Sequence, residues 1–179
     1  MEIWEETIDL PNELATGELA RQIASVAGQS DVIALVGALG AGKTTFSRAF
    51  IHSIYARFEL PPPDVQSPTF GLVHRYDPNG LLIHHFDFYR LEDESDLQEL
   101  GLEEAIQNGI SLIEWPAIAM DSLPPETLIL QLEATGGALG PASRRAVLKG
   151  VLTWRDRLNG VTTIPQPNAE HSRASDPDQ

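Results

Sequence analysis

The sequence contains no cysteine among its 179 residues. Disulfide bonds, thiolate nucleophiles and thiolate metal sites are therefore excluded. No apolar run approaches the length needed to cross a membrane. The opening residues, MEIWEE, lack the basic start and apolar stretch of a signal peptide. These absences predict a cytoplasmic protein, and the length predicts a single domain with a sizeable hydrophobic core.

Positive charge is also scarce. Twelve lysines and arginines oppose 26 aspartates and glutamates, and the formal net charge is −14. A protein that grips nucleic acid directly normally carries a basic face that displaces counterions from phosphates. Direct, tight binding to nucleic acid is therefore not expected. Self-repulsion that keeps the chain in solution explains most of the negative charge.

The segment GALGAGKTT, residues 37–45, has the spacing of a phosphate-binding loop. The motif G-x-x-x-x-G-K-[ST] is matched by Gly37, Gly42, Lys43 and Thr44. A short apolar run precedes the segment and a helical pattern follows it, which is the context that phosphate binding requires. The alternative, a glycine-rich turn between a strand and a helix, leaves the lysine and the threonine at the helix start unexplained. We therefore interpret the segment as a nucleotide site, with Lys43 facing solvent.

The rest of the chain alternates between helical and strand patterns. Helices are predicted at 12–28, at 43–58 and, in two pieces meeting near Gly101, at 91–109; strands are predicted at 31–37, 70–76, 81–87, 110–115, 127–133 and 144–150. This order predicts an α/β protein with the three-layer P-loop NTPase fold, a mostly parallel sheet and antiparallel additions. Residues 1–160 form the predicted ATPase domain. Residues 161–179 are polar and aperiodic, which predicts a disordered tail.

Two apolar strands end in acids, Asp87 and Glu114. Ligands of parallel sheets bind at the carboxyl ends of strands, so either acid could face a metal ion bound with the phosphates. The alternative for each is a surface or capping carboxylate. His85 and Asp87 share one face of their strand, and a hydrogen bond between them is expected. Trp115 follows Glu114 directly. Its side chain either lies at the nucleotide or at a partner surface, or it packs against neighbouring side chains.

Motifs that are absent from the sequence narrow the choice of nucleotide and of reaction. The base-reading N-K-x-D of GTPases is absent, so ATP is favoured over GTP. The DPNG segment at 77–80 imitates a GTPase motif, but a strand follows it at once, so a β-turn within a hairpin is the better interpretation. A small-molecule kinase stays open as an alternative, because DFYR at 87–90 resembles the acid–arginine pairs that some nucleoside kinases place near the acceptor hydroxyl.

Four segments in order, GALGAGKTTFSRAF, SPTF, HFDFYR and LIEWP, resemble the TsaE family, the bacterial P-loop ATPases of tRNA threonylcarbamoyladenosine synthesis. The resemblance runs from about residue 8 to residue 150. It implies a small cytoplasmic ATPase that works with the proteins TsaB and TsaD to install threonylcarbamoyl on an anticodon-loop adenosine of tRNA. ATP and Mg²⁺ are the implied cofactors, and tRNA is contacted only through the partners.

The resemblance also implies roles for individual residues. Thr44 and Glu114 would hold Mg²⁺, while Asp87, Lys43 and Thr69 would serve hydrolysis, with SPTF as a mobile switch near the γ-phosphate. The implied nucleotide-binding residues, of which the first two belong to a segment lining the adenine, are Glu13, Thr16, Leu39, Gly40, Ala41, Gly42, Lys43 and Thr44. Thr45, next to Thr44, and Trp115, next to Glu114, complete the predicted nucleotide-binding set. The family core does not need the residues beyond Gly160.

Overall fold

The computed structural model describes residues 2–136 and 143–159. The strands are β1 (Ile3–Leu10), β2 (Val32–Val36), β3 (Val73–Tyr76), β4 (Leu82–Asp87), β5 (Gly109–Glu114), β6 (Leu128–Ala134) and β7 (Arg144–Val151). The helices are α1 (Glu13–Val26), α2 (Lys43–Arg57), α3 (Asp96–Glu99), α4 (Leu102–Asn108), α5 (Leu152–Leu158) and a 3-10 helix (Pro116–Ser122). The predicted tail, 161–179, lies outside the described residues.

The seven strands form one sheet in the order β1-β7-β6-β2-β5-β4-β3. The four central strands are parallel, because β2 pairs in parallel with both β6 and β5, and β5 with β4. Antiparallel strands complete both edges: β7 and β1 on one side, β3 on the other. The carboxyl ends of β2, β4 and β5 therefore lie side by side at the same end of the strands, which is where parallel sheets bind ligands.

Helices cover both faces of the sheet and bury two separate cores. The larger core packs α1, α2 and α5 against one face, and the smaller packs α3, α4 and the 3-10 helix against the other. Helix α2 supplies four completely buried side chains to the larger core: Phe46, Phe50, Ile51 and Ile54. The predicted three-layer α/β fold with a parallel centre and antiparallel additions is confirmed.

Most local predictions hold, including the hairpin and the break in the acidic helix. Strands β3 and β4 pair antiparallel around the turn at 77–80, where the Gly80 amide donates to Asp77 Oδ1 at 2.6 Å. Gly101 has φ +70° between α3 and α4, a conformation that glycine adopts without strain. Helix α3 begins at Asp96, five residues later than predicted, and the preceding acidic residues form turns.

Sequence patterns missed three elements: β1, α5 and the 3-10 helix. Strand β1 is an edge strand in which only Leu10 is buried, so its alternation of polar and apolar residues is weak. Helix α5 has two turns and is held by Trp154, which is buried and donates its indole N–H to the Glu126 carbonyl at 2.8 Å. Among the described helices, none combines the length and hydrophobicity that crossing a membrane would require.

Candidate nucleotide site

The loop from Gly37 to Gly42 connects β2 to α2 through three glycines with positive φ. These angles are +154° at Gly37, +75° at Gly40 and +107° at Gly42, which caps the helix. Successive residues in such conformations can turn their backbone N–H groups toward a common centre and create an anion nest. Within the loop, Leu39 is exposed and Ala41 is buried, and Thr45 is half-buried in the first turn of α2. The loop therefore lies between a strand and a helix, as the motif predicts.

Lys43 lies at the first position of α2 and turns back toward the loop. Its Nζ donates to the carbonyls of Gly37 and Ala38 at 2.8 and 2.9 Å. The same Nζ lies 3.8 Å from the centre of the Trp115 ring. The side chain is only 5% exposed, so the prediction that Lys43 faces solvent is wrong. Burial lowers the pKa of Lys43, while the charges of Glu114 and Asp87 oppose that shift.

Glu114 is the buried carboxylate next to the helix start. Thr44 Oγ1 donates to Glu114 Oε2 at 3.0 Å, and Ser47 Oγ lies 3.3 Å from Oε1. His85 Nε2 is 2.8 Å from the same Oε1. A hydroxyl and a carboxylate oxygen side by side are the hard donors that Mg²⁺ prefers, so Thr44 and Glu114 fit this ion. Each of the four side chains comes from a strand end or from the first two turns of α2.

The expected hydrogen bond between His85 and Asp87 is not formed, and this prediction is wrong. Residues two apart on a strand are separated by about 6.6 Å along the chain. The register instead places Asp87 beside Glu114 on β5, and the His85 ring reaches Glu114 diagonally. Because His85 is completely buried, this contact fixes the carboxylate from the side opposite Thr44. Strand pairing, rather than strand alternation, determines the partner.

Asp87 binds the SPTF segment instead. Its Oδ2 accepts hydrogen bonds from the Ser67 hydroxyl and, at 3.1 Å, from Thr69 Oγ1. Its Oδ1 accepts the Tyr89 amide at 3.0 Å. The structure therefore brings together the predicted acid and the predicted switch threonine. Phe70, the next residue, is 88% exposed and packs under Arg90 with 4.6 Å between the guanidinium carbon and the ring centre.

Sequence reasoning missed Arg144, which reaches the phosphate-binding loop from β7. Its Nε donates to the Ala41 carbonyl at 3.0 Å, and Nη2 lies 3.4 Å from the Gly40 carbonyl. These residues are more than one hundred positions apart in the chain. No local pattern indicates such a contact, and only the antiparallel addition of β7 produces it. Arg144 therefore supports the loop through its carbonyls.

Trp115 lies at the site, whereas the described contacts of Glu13 and Thr16 do not reach the loop. The Trp115 ring contacts both Lys43 and Tyr89, whose ring centre is 4.9 Å away. Glu13 is exposed in the first turn of α1, and Thr16 is buried one turn later. Within residues 2–136 and 143–159, neither side chain forms a hydrogen bond or an ion pair. Their assignment to the adenine therefore stays a prediction.

Comparison with known proteins identifies the family. The model of the family described as "Threonylcarbamoyl adenosine biosynthesis protein TsaE" matches residues 10–145. The chain is 38% identical over 124 residues to the tRNA threonylcarbamoyladenosine biosynthesis protein TsaE of Rickettsia felis, covering 69% of this chain and 70% of that protein. It is 37% identical to the Bacillus subtilis protein of the same name over 127 residues, covering 70% and 75% of the two chains.

A solved structure agrees with this assignment. The crystal structure of Bacillus subtilis YdiB superposes with a TM-score of 0.71 at 25% sequence identity. The match covers 89% of this chain and 97% of YdiB, so the two proteins share the whole fold rather than one motif. Together with the family match over more than three quarters of the sequence, this shows that the chain belongs to the TsaE family of tRNA threonylcarbamoyladenosine biosynthesis proteins.

Proposed function

We propose that this protein is a Mg²⁺-dependent ATPase that acts with TsaB and TsaD to modify an anticodon-loop adenosine of tRNA with threonylcarbamoyl. The observation that carries the proposal is the contact of 3.0 Å between the Thr44 hydroxyl and the buried Glu114 carboxylate, at the first turn of the helix that follows the glycine loop. A glycine-rich turn with only a structural role does not need these groups. Family membership supplies the biosynthetic setting.

The chain's own groups divide the work of holding ATP. The loop backbone from Leu39 to Gly42, the N-terminus of α2 and the charge of Lys43 would bind the phosphates. Thr44 and Glu114 would hold Mg²⁺, which neutralises negative charge on the phosphates and orients them when it is bound. The hydrogen bond from His85 holds Glu114 in place, so its carboxylate loses little freedom on binding the ion.

Asp87 and Thr69 are assigned to hydrolysis in this proposal. Asp87 accepts two side-chain hydroxyls, and each of these contacts can be exchanged for a hydrogen bond from a water molecule. Thr69 belongs to a segment that is tied to β4 largely through Asp87. Motion of SPTF toward the γ-phosphate would therefore release the carboxylate to orient water. Lys43 would stabilise the negative charge that develops during phosphoryl transfer.

The experiment that tests this function measures phosphate release from ATP by the protein alone, with TsaB and TsaD, and with candidate small-molecule acceptors. We expect slow release by the protein alone and faster release with the two partners. Phosphate release without a phosphorylated acceptor removes the kinase alternative. Transfer of phosphate to an acceptor, with no effect of the partners, would contradict the proposal and establish the kinase.

A further inference from the structure

A polar cavity of about 620 Å³ lies on the face of the sheet opposite α2. Strands β3 and β4 form its floor, and the corner between α3 and α4 forms its wall. The volume lies within the range of pockets that bind small molecules. None of the residues assigned to nucleotide, metal or hydrolysis lines it. The cavity is therefore separate from the nucleotide site.

His84 gives this cavity an unusual floor. The residue is 3% exposed and lines the cavity, yet neither ring nitrogen has a hydrogen-bond partner among the described residues. Its neighbour in register on β5 is Ser111, whose hydroxyl is also buried without a partner. Buried polar atoms are paired in the great majority of cases, and leaving them unpaired costs stability. An unpaired, buried imidazole at the floor of a cavity is suited to a polar ligand, whereas Ser111 lies outside the residues that line the cavity.

Opposite charges line the two sides of the cavity. Arg75, the neighbour of His84 in register on β3, provides a positive charge at the strand side. Glu99 and Glu104 provide negative charges at the helix side. Within the described part of the chain, none of these three side chains forms an ion pair or a hydrogen bond. The cavity therefore offers separate sites for an anionic group and a cationic group of one molecule.

We propose that this cavity binds a free α-amino acid whose side chain carries a hydroxyl or an amide. The carboxylate of the bound amino acid pairs with Arg75, and its ammonium group pairs with Glu99 and Glu104. The side chain of the amino acid contacts His84. Serine, threonine, asparagine and glutamine have the required groups. The carboxylates at the wall disfavour a purely anionic ligand such as phosphate. Among the described residues, no group of three or more histidines and acids is placed to hold a metal ion.

The state of His84 explains the preference for a hydroxyl or an amide. Burial and the positive charge of Arg75 lower the pKa of His84, although Glu104 opposes the shift. The ring is therefore neutral at neutral pH, with one nitrogen that donates and one that accepts. A hydroxyl or a primary amide can pair with whichever nitrogen faces it, because each of these groups both donates and accepts. An ammonium group can only donate to the accepting nitrogen, and a carboxylate can only accept from the donating one.

The proposal is tested by recording the imidazole nitrogen resonances of the full chain, labelled with ¹⁵N, without ATP or Mg²⁺. L-Serine, L-threonine, L-asparagine and L-glutamine are added separately, and His84→Gln assigns the His84 signals. We expect at least one of these amino acids to shift the signals saturably. Ethanolamine and glycolate, which each lack one of the two charges, should bind at least tenfold more weakly.

Variants at the exposed rim test the two charges of the cavity while His84 stays in place to report binding. Arg75→Ala and Glu104→Gln should each weaken the amino acid at least tenfold. Arg21→Ala is the matched control, because Arg21 is exposed on α1 and, among residues 2–136 and 143–159, pairs only with Glu18. If none of the four amino acids shifts the His84 signals, or if ethanolamine or glycolate binds as well as they do, the proposal is wrong. Both results are independent of ATP hydrolysis.

Discussion

Glu114 is the residue on which the candidate site depends most closely. Its two oxygens contact Thr44, Ser47 and His85, so the protein's own side chains orient both of them. A buried carboxylate without such partners would be costly in the folded state. Here two hydroxyls and an imidazole contact the carboxylate and hold it beside the first turn of α2. This arrangement favours Glu114, rather than Asp87, as the metal ligand.

Glu114→Gln should therefore reduce Mg²⁺-dependent ATP turnover by about a hundredfold or more, because a neutral amide is a weaker ligand for a hard cation. Nucleotide affinity should fall much less, since the loop backbone and Lys43 still bind the phosphates. Turnover is measured across a Mg²⁺ titration with both proposed partners present, beside equilibrium binding of a fluorescent nucleotide.

Asp87→Asn is the matched control for that variant. It should lower turnover without changing the Mg²⁺ concentration needed for half-maximal rate, because Asp87 contacts Ser67 and Thr69 rather than Thr44. The assignment is reversed if Glu114→Gln keeps a normal Mg²⁺ response and Asp87→Asn loses it. The metal ligand would then be Asp87.

His84 should make the fold sensitive to mild acid. Its pKa is lowered in the folded state, so below about pH 6.5 the unfolded chain binds a proton that the folded protein does not. The neutral state of His84 therefore contributes fully to the free energy of unfolding above pH 6.5. Below that pH the free energy of unfolding decreases by up to about 1.4 kcal/mol per pH unit. Urea unfolding between pH 7 and 5 should show a shallower loss of stability for His84→Gln. Parallel curves for the two proteins would contradict this role.

At the scale of elements, the junction of β2 and the loop depends on Gly37. A Cβ there would lie 2.4 Å from the carbonyl oxygen of Leu132 on β6, so the loop or the strand must move. Gly37→Ala should cost about 2 kcal/mol or more in the free energy of unfolding. Gly40→Ala is the matched control, because a Cβ there meets nothing within 4 Å and only its φ of +75° is unfavourable.

The Gly40→Ala control should cost about 1 kcal/mol. Urea unfolding of both variants gives the comparison. Equal losses of stability would mean that the approach of Gly37 to β6 has no structural importance, and that the positive φ angles alone explain the choice of glycine.

Elements with strong local patterns could be predicted from the sequence, and elements held by distant contacts could not. Helix α2 was predicted almost to the residue, because its apolar spacing and the glycine loop before it are both local. Strand β1 depends on pairing with β7 and buries only Leu10, so its own sequence carries little signal. For the same reason, the sequence does not predict the contact of Arg144 with the loop or the contact of His85 with Glu114. Motifs identify the groups of the site, while the sheet register determines which groups meet.

At the scale of the whole molecule, negative charge and exposed apolar groups are the two surface features that bear on partners. A net charge of −14 disfavours direct contact with tRNA phosphates and agrees with action through other proteins. Large exposed apolar side chains occur beside the nucleotide site: Leu39, Phe70 and Tyr89. Tyr89 packs on Trp115, which covers Lys43. A partner bound over these side chains would also contact the groups that we propose hold the phosphates.

Phe70→Ala should therefore reduce the stimulation of ATP turnover by TsaB and TsaD about tenfold, as expected for an aromatic anchor at an interface. The fold should be unaffected, since the ring is 88% exposed and contacts Arg90 at the surface. Ile3→Ala is the matched control, because Ile3 is 77% exposed on β1, at the edge of the sheet farthest from β3. Turnover is measured against partner concentration, with unfolding curves for each variant. Loss of stimulation in both variants, or in neither, would mean that the partners do not dock on the face that carries the nucleotide site.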